Sequence, residues 1–235
     1  MTDDITSDTP SKRKLSDRRP DEFTPTDRPT RWLFRYFYKW LGGVTIIGSE
    51  NVPKVGPVIL APNHVSMADP PLMACVLDRP MRFFTKAELF KVFFIGPYIR
   101  GLGAFPVVRG TPDRKAIRQA IDVLTNGEML LMFPEGVRGD GVTLGEPEKG
   151  ITMIATKTSA MIVPVFIAGT EKMLPRGGAK LRRNHLTVRF GKPIDVAPYK
   201  DRRSAGDTLG RDIMAAIGAL RDEHLDSKVG ASAAG

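Results

Sequence analysis

A single cysteine, Cys75, in 235 residues leaves no partner for an intramolecular disulfide and too few thiolates for a cysteine-based zinc site. Histidine is nearly as scarce: His64, His185 and His224 stand far apart, so no metal cluster built on histidine is expected. No uncharged apolar run approaches the ~18 residues that a membrane-spanning helix needs. The longest uncharged stretch begins at Val55 and is broken by Pro57, Pro62, Asn63 and His64. The first residues are acidic and polar, without an apolar core ahead of a small-residue cleavage site, so a secretory signal is not expected and the chain reads as intracellular and non-spanning. Several motifs are missing as well: G-x-S-x-G, the phosphate-binding G-x-x-x-x-G-K-[ST] loop and H-E-x-x-H. Gly101 and Gly103 are followed by Pro106 where a dinucleotide-binding loop would place glycine, and Gly139, Gly141 and Gly145 do not directly follow a strand. No cofactor or metal is expected.

What is present begins with charge. The formal net charge is +9 and the pI about 9.8, which points to an anionic partner such as nucleic acid, anionic lipid or a phosphorylated substrate. Residues 1–31 contribute none of it, because seven acids there balance seven bases. With only Ile5, Leu15 and Phe23 as large apolar residues, this tail buries too little to offset its ordering entropy and is expected to be disordered. Residues 32–43 differ sharply: Trp32 to Leu41 holds both tryptophans and six of the eighteen aromatics, and Gly42-Gly43 follows. On a helix, Arg31, Arg35 and Lys39 fall at i, i+4 and i+8 as a narrow basic stripe. Two readings stand. The helix lies in a bilayer interface with its bases on lipid phosphates, or it packs on the domain with the stripe in water.

Residues 44–225 alternate strand-like and helix-like segments, the pattern of an α/β domain. Pro57–Pro62, Glu128–Phe133, Ile162–Ile167 and Leu186–Phe190 read as strands, with Pro164 implying an edge or a bulge. Thr111-Pro112 opens a helix carrying Ile117, Ala120, Ile121 and Leu124, stopped by Gly127. Leu209, Ile213, Ala216, Ile217 and Leu220 mark a C-terminal helix, and the small residues of 226–235 are expected to fray. The fold class is therefore α/β, a mixed central sheet flanked by helices and preceded by an N-terminal amphipathic helix.

Chemistry concentrates just past the strands. His64 follows the first of them and Asp69 lies five residues on. A continuous helix would hold the two side chains ~140° apart, so they meet only if the chain turns between them. A histidine oriented by a carboxylate deprotonates a hydroxyl near neutral pH; alternatively, Ser66 or Asp69 merely caps the next helix. Lys86, Arg109 and Arg138 each lie beyond a short apolar segment, where they either converge on a phosphate or stand as ordinary surface cations.

Four blocks occur in order: Asn63-His64-Val65-Ser66-Met67-Ala68-Asp69, Gly103 to Arg109, Phe133-Pro134-Glu135-Gly136-Val137-Arg138, and Val163 to Gly169. Together with Glu50-Asn51-Val52-Pro53 and Lys86-Ala87-Glu88-Leu89 they resemble the glycerolipid acyltransferase family, over roughly Val44 to Leu220. The resemblance implies transfer of an acyl group from acyl-CoA or acyl carrier protein to the free hydroxyl of lysophosphatidate at a membrane surface, on the cytoplasmic side. It implies His64 as general base and Asp69 as its orienting partner. Lys86, Arg109, Glu135, Gly136 and Arg138 then serve acceptor and phosphate binding, and Pro164 serves acyl-donor binding or structure. No nucleophilic Ser or Cys stands in the blocks, so direct transfer is expected. One departure is plain: the third block of the family ends Arg-Ser, and here it reads Arg138-Gly139. The alternatives are another acceptor, such as glycerol 3-phosphate or a lyso-aminolipid, or a non-catalytic protein that binds anionic membranes. Nucleic acid is disfavoured, because aromatics cluster with aliphatics rather than with bases.

Overall fold

The computed structural model describes residues 27–93, 95–107, 114–140, 143–177, 180–200 and 205–233. Within them, strands β1 (Val44–Ile47), β2 (Val58–Pro62), β3 (Met81–Lys86), β4 (Ala104–Val107), β5 (Met129–Leu131), β6 (Met161–Ala168) and β7 (Leu186–Phe190) form one sheet in the order β1-β7-β6-β2-β5-β3-β4. Every neighbouring pair is parallel except β6 and β7, so the sheet is mixed. The described helices are α1 (Asp27–Trp40), α2 (Asp69–Val76), α3 (Ile95–Gly101), α4 (Arg114–Thr125), α5 (Lys149–Thr158), α6 (Thr170–Met173) and α7 (Ala205–Ala233).

Alternation along the strands builds two cores. Val58 and Leu60 of β2, with Met129, Leu131, Val163 and Val165, face α1 and α2. Ile59 and Ala61, with Leu130 and Ile162, face α4, α5 and α7. Both faces being covered, β2 reads as an unbroken apolar run and Val58 to Ala61 are fully buried. The neighbouring strands β2 and β5 are thus followed by helices, α2 and α5, on opposite faces. Their connections therefore diverge at the carboxyl ends of the strands, the place where ligands bind in open α/β sheets.

Pro164 does not mark a sheet edge, because β6 lies between β2 and β7. Its missing N–H falls on the β7 side, in a gap between the Val165–Phe190 pair and an isolated bridge from Ile162 to Ile194. There its carbonyl accepts the Gly191 amide at 2.8 Å. A proline is tolerated inside the sheet because the ladder breaks at that point.

The N-terminal helix corrects the sequence reading twice. It begins at Asp27, so residues 27–31 are helical rather than part of a polar tail; residues 1–26 lie outside the described residues. Two of the three residues of its basic stripe turn to protein, while Lys39 stays exposed. Arg31 is buried and donates to the Asp78 carbonyl at 3.2 Å, while Arg35 donates to the Cys75 carbonyl at 2.6 Å and to Asp78 Oδ1 at 2.7 Å. The last carbonyls of α2 lack intrahelical partners and carry the negative end of its dipole; Arg35 meets one of them at Cys75, and Arg31 reaches the chain just beyond, at Asp78. The opposite face, Trp32, Leu33, Tyr36 and Trp40, is left in solvent, each residue more than half exposed. Gly42 ends the helix at φ 136, and a Cβ there would stand 2.5 Å from the Asn184 carbonyl oxygen. At the other terminus α7 stays helical through Ala233, beyond the point where its small residues suggested fraying.

Candidate active site

The turn after β2 is fixed from several directions. Asn63 reaches across to β6, its side chain accepting from the Ile167 amide at 2.7 Å and donating to the Ile167 carbonyl at 3.0 Å. His64 follows and is 7% exposed. Asp69, the first residue of α2, is fully buried, and its side chain folds back under the turn. Its Oδ2 accepts the amides of Val65 and Ser66 at 2.8 Å each and lies 2.9 Å from His64 Nδ1. Its Oδ1 accepts the Thr170 hydroxyl at 2.6 Å. The turn thus brings together two side chains that a continuous helix would separate.

These contacts decide the tautomer. Asp69 acts as an acceptor from every described neighbour, so in a neutral imidazole the proton sits on Nδ1 of His64, toward it, and the lone pair on Nε2. Phe133, just past β5, stacks on the imidazole with ring centroids 3.9 Å apart and planes at 27°, which fixes the ring's tilt. Tyr38 of α1 donates to the Ala68 carbonyl at 2.9 Å. Burial, with smaller contributions from Cys75 and Asp69, raises the Tyr38 pKa well above its ordinary value, so this donor keeps its proton. Ser66 ties the turn to the segment after α6, its hydroxyl donating to the Leu174 carbonyl at 3.0 Å.

Glu135 is buried, and each of its carboxylate oxygens is engaged by main chain: Oε1 accepts the His64 amide at 3.2 Å and Oε2 the Gly145 amide at 3.0 Å. From the segment after β5 it braces the His64 turn. The Arg138-Gly139 departure falls here. The Gly139 amide donates to the His64 carbonyl at 2.7 Å, and a Cβ at 139 would stand 3.1 Å from Glu135 Oε2. Gly145 approaches the same oxygen equally closely.

The remaining predicted residues are placed less intimately. Lys86 is exposed at the end of β3, paired in register with Val107 of β4; Gly136 is exposed at φ 63, and Arg138 is half-buried. Arg109 and Thr111-Pro112 lie outside the described residues. Pro164 is buried within β6, its carbonyl facing Gly191 rather than the dyad. No group of three or more His, Cys, Asp and Glu capable of holding a metal occurs among the described residues. The sequence reading missed Thr170, Phe133 and Tyr38 as supports. For Thr170 a signal existed, since it immediately follows the fourth block at another strand-to-helix turn.

Residues 43–168 match the Acyltransferase family. The chain belongs to this family. Among curated relatives, it is 31% identical over 163 residues to a chloroplastic 1-acyl-sn-glycerol-3-phosphate acyltransferase of Arabidopsis thaliana, an alignment covering 67% of this chain and 44% of that one. It is 29% identical to the 1-acyl-sn-glycerol-3-phosphate acyltransferase of Streptococcus pneumoniae, covering 83% of this chain and 78% of the relative. Against Arabidopsis and Chlamydomonas reinhardtii relatives the chain spans only about half of their length, 44% and 47%. The crystal structure of the 1-acyl-sn-glycerophosphate acyltransferase PlsC of Thermotoga maritima superposes with a TM-score of 0.69 at 31% identity, over 84% of this chain and 79% of that one. The acyltransferase match thus takes in the His64 turn, the Glu135 brace and all of β6.

Proposed function

We propose that this acyltransferase moves a fatty acyl group from a thioester, acyl-CoA or acyl carrier protein, to the free hydroxyl of 1-acylglycerol 3-phosphate, giving phosphatidic acid. The observation that carries the reading is the His64–Asp69 pair, with Nδ1 donating to a fully buried carboxylate and Nε2 left as a base. His64 Nε2 takes the hydroxyl proton as the oxygen attacks the thioester carbonyl carbon. The C–S bond then breaks, and the leaving thiolate takes the proton back from the imidazolium. General-base assistance of this kind contributes about 10²–10⁴-fold, with positioning supplying much of the rest.

Acceptor phosphate binding is assigned to Lys86, Arg109 and Arg138, with Gly136 and Glu135 lining the acceptor side of the turn that carries Arg138. Topology supports a shared site: β3 lies two strands from β2, roughly 10 Å at the usual strand spacing, with the carboxyl ends aligned. The aromatic face of α1 is assigned to the bilayer interface, where Trp and Tyr are favoured, and the protein to the membrane's cytoplasmic face as a peripheral enzyme. Among the described residues no helix is long and apolar enough to cross a membrane.

Thioester release measured with lysophosphatidate, glycerol 3-phosphate and an unphosphorylated monoacylglycerol tests the reading. Lysophosphatidate should be the best acceptor. His64→Ala should lose about 10²–10⁴-fold in kcat while folding normally, and Arg109→Ala should cost more with the phosphorylated acceptor than with the unphosphorylated one. A folded His64→Ala protein with near-native turnover would sink the general-base assignment; equal Arg109→Ala penalties on both acceptors would sink phosphate recognition there.

A further inference from the structure

The segment from Lys172 to His185 carries five bases, Lys172, Arg176, Lys180, Arg182 and Arg183, and no acid. All five are exposed, and none forms an ion pair among the described residues. So dense a cluster of one sign repels itself, and a chain under no other demand would interleave it with carboxylates, as α7 does with Arg221, Asp222 and Glu223. The cluster is also held firmly in one place. The Arg182 amide donates to the Met173 carbonyl at 2.9 Å, and the Asn184 and Leu186 amides donate to the Leu41 and Gly43 carbonyls at the end of α1.

That attachment makes the bases continuous with the exposed face of α1. The Arg183 guanidinium lies 5.8 Å from the centroid of the Trp40 ring, itself 61% exposed. Leu181, set between Lys180 and Arg182, is 43% exposed. On its other side the segment meets the catalytic turn, where Ser66 donates to the Leu174 carbonyl and the next residue, Met67, is 58% exposed. Exposed aromatics, exposed aliphatics and unpaired cations therefore adjoin one another beside His64.

We propose that Lys180, Arg182 and Arg183 dock the enzyme on anionic bilayers, selecting lipid charge while the α1 aromatics insert. The inference rests on the α1 interface reading only in taking that face as the one turned to lipid. Apolar side chains interleaved with the cations fit a bilayer better than a purely polar partner such as an acidic carrier protein, because Trp40 and Leu181 gain by leaving water only where acyl chains are within reach. Docking here brings the lipid surface to the mouth of the site, so that a lysolipid acceptor reaches His64 without crossing open solvent.

Cosedimentation of the full chain with vesicles of phosphatidylcholine alone, and of equimolar phosphatidylcholine and phosphatidylglycerol, tests this. A Lys180→Gln/Arg182→Gln/Arg183→Gln variant should lose about fivefold in anionic-vesicle affinity per cation, on the order of a hundredfold in all, with phosphatidylcholine binding unchanged. Its kcat/KM on detergent-dispersed acceptor with soluble donor should match the parent. Retained anionic preference overturns the proposal. A raised KM for the soluble donor with vesicle binding intact overturns it too, in favour of a donor site. Trp32→Ala/Tyr36→Ala tests the α1 reading separately: unchanged binding to phosphatidylcholine would remove α1 as the inserting face, whatever the basic segment does.

Discussion

At the scale of single residues, the imidazole of His64 is held by parts that do no chemistry themselves. Thr170 is the clearest. Its hydroxyl is the described partner of Asp69 Oδ1, so Thr170→Val leaves a buried carboxylate oxygen unsatisfied, whereas Thr170→Ser keeps the donor. The valine variant should lose about tenfold or more in kcat with little change in acceptor KM, and the serine variant should recover most of it. A folded valine variant with native kcat would reduce Thr170 to packing. Much of this was legible in advance: His64 and Asp69 stand out by residue type and by position after a strand. The supports were not, because Thr170, Phe133 and Tyr38 are ordinary residues whose roles exist only once distant strands lie side by side. Glu135 shows the other limit. Its place in the third block marked it as important, but only the two amides at its carboxylate reveal that it braces the turn.

Among the secondary-structure elements, α1 separates what periodicity can and cannot tell. The stripe of Arg31, Arg35 and Lys39 is correctly periodic, yet the side it faces depends on α2 and the turn after it, whose carbonyls at Cys75 and Asp78 take two of the three cations. Burial pushes the thiol of Cys75, at that same junction, up to about 12, against smaller opposing effects from Arg31 and Arg35. The folded enzyme should therefore resist alkylation by iodoacetamide at neutral pH. Arg31→Met/Arg35→Met removes hydrogen bonds from charged donors and should speed labelling about tenfold or more by loosening α1. An unchanged labelling rate would mean that apolar contacts such as Tyr38 and Leu41 hold the helix alone. Strands β2, β5, β6 and β7 were all readable from apolar runs, and α4 from its helical stripe. The meaning of Pro164 was not, since whether a strand lies at an edge is a property of its neighbours.

Over the whole molecule, sequence reading reached the fold class and the layers but not the strand order, which is set by pairings between segments far apart in the chain. The catalytic turn records this in its own bonds. His64 and Asp69 are five residues apart, but the partners that fix them lie 71 residues away at Glu135 and 101 at Thr170, while Ser66 reaches 108 residues to Leu174 and Asn63 104 to Ile167. Contacts of such separation form late, after most of the loop-closure entropy has been lost. On refolding from denaturant, helical circular dichroism should return ahead of acyl-transfer activity, and simultaneous recovery would mean that the turn assembles with the first collapse. A chain interrupted during synthesis before Leu174 lacks a partner of Ser66, and one interrupted before Ile167 lacks the anchor of Asn63 as well. If His64 is the base, the nascent chain should therefore be silent until β6 and α6 are made, whatever has already formed upstream.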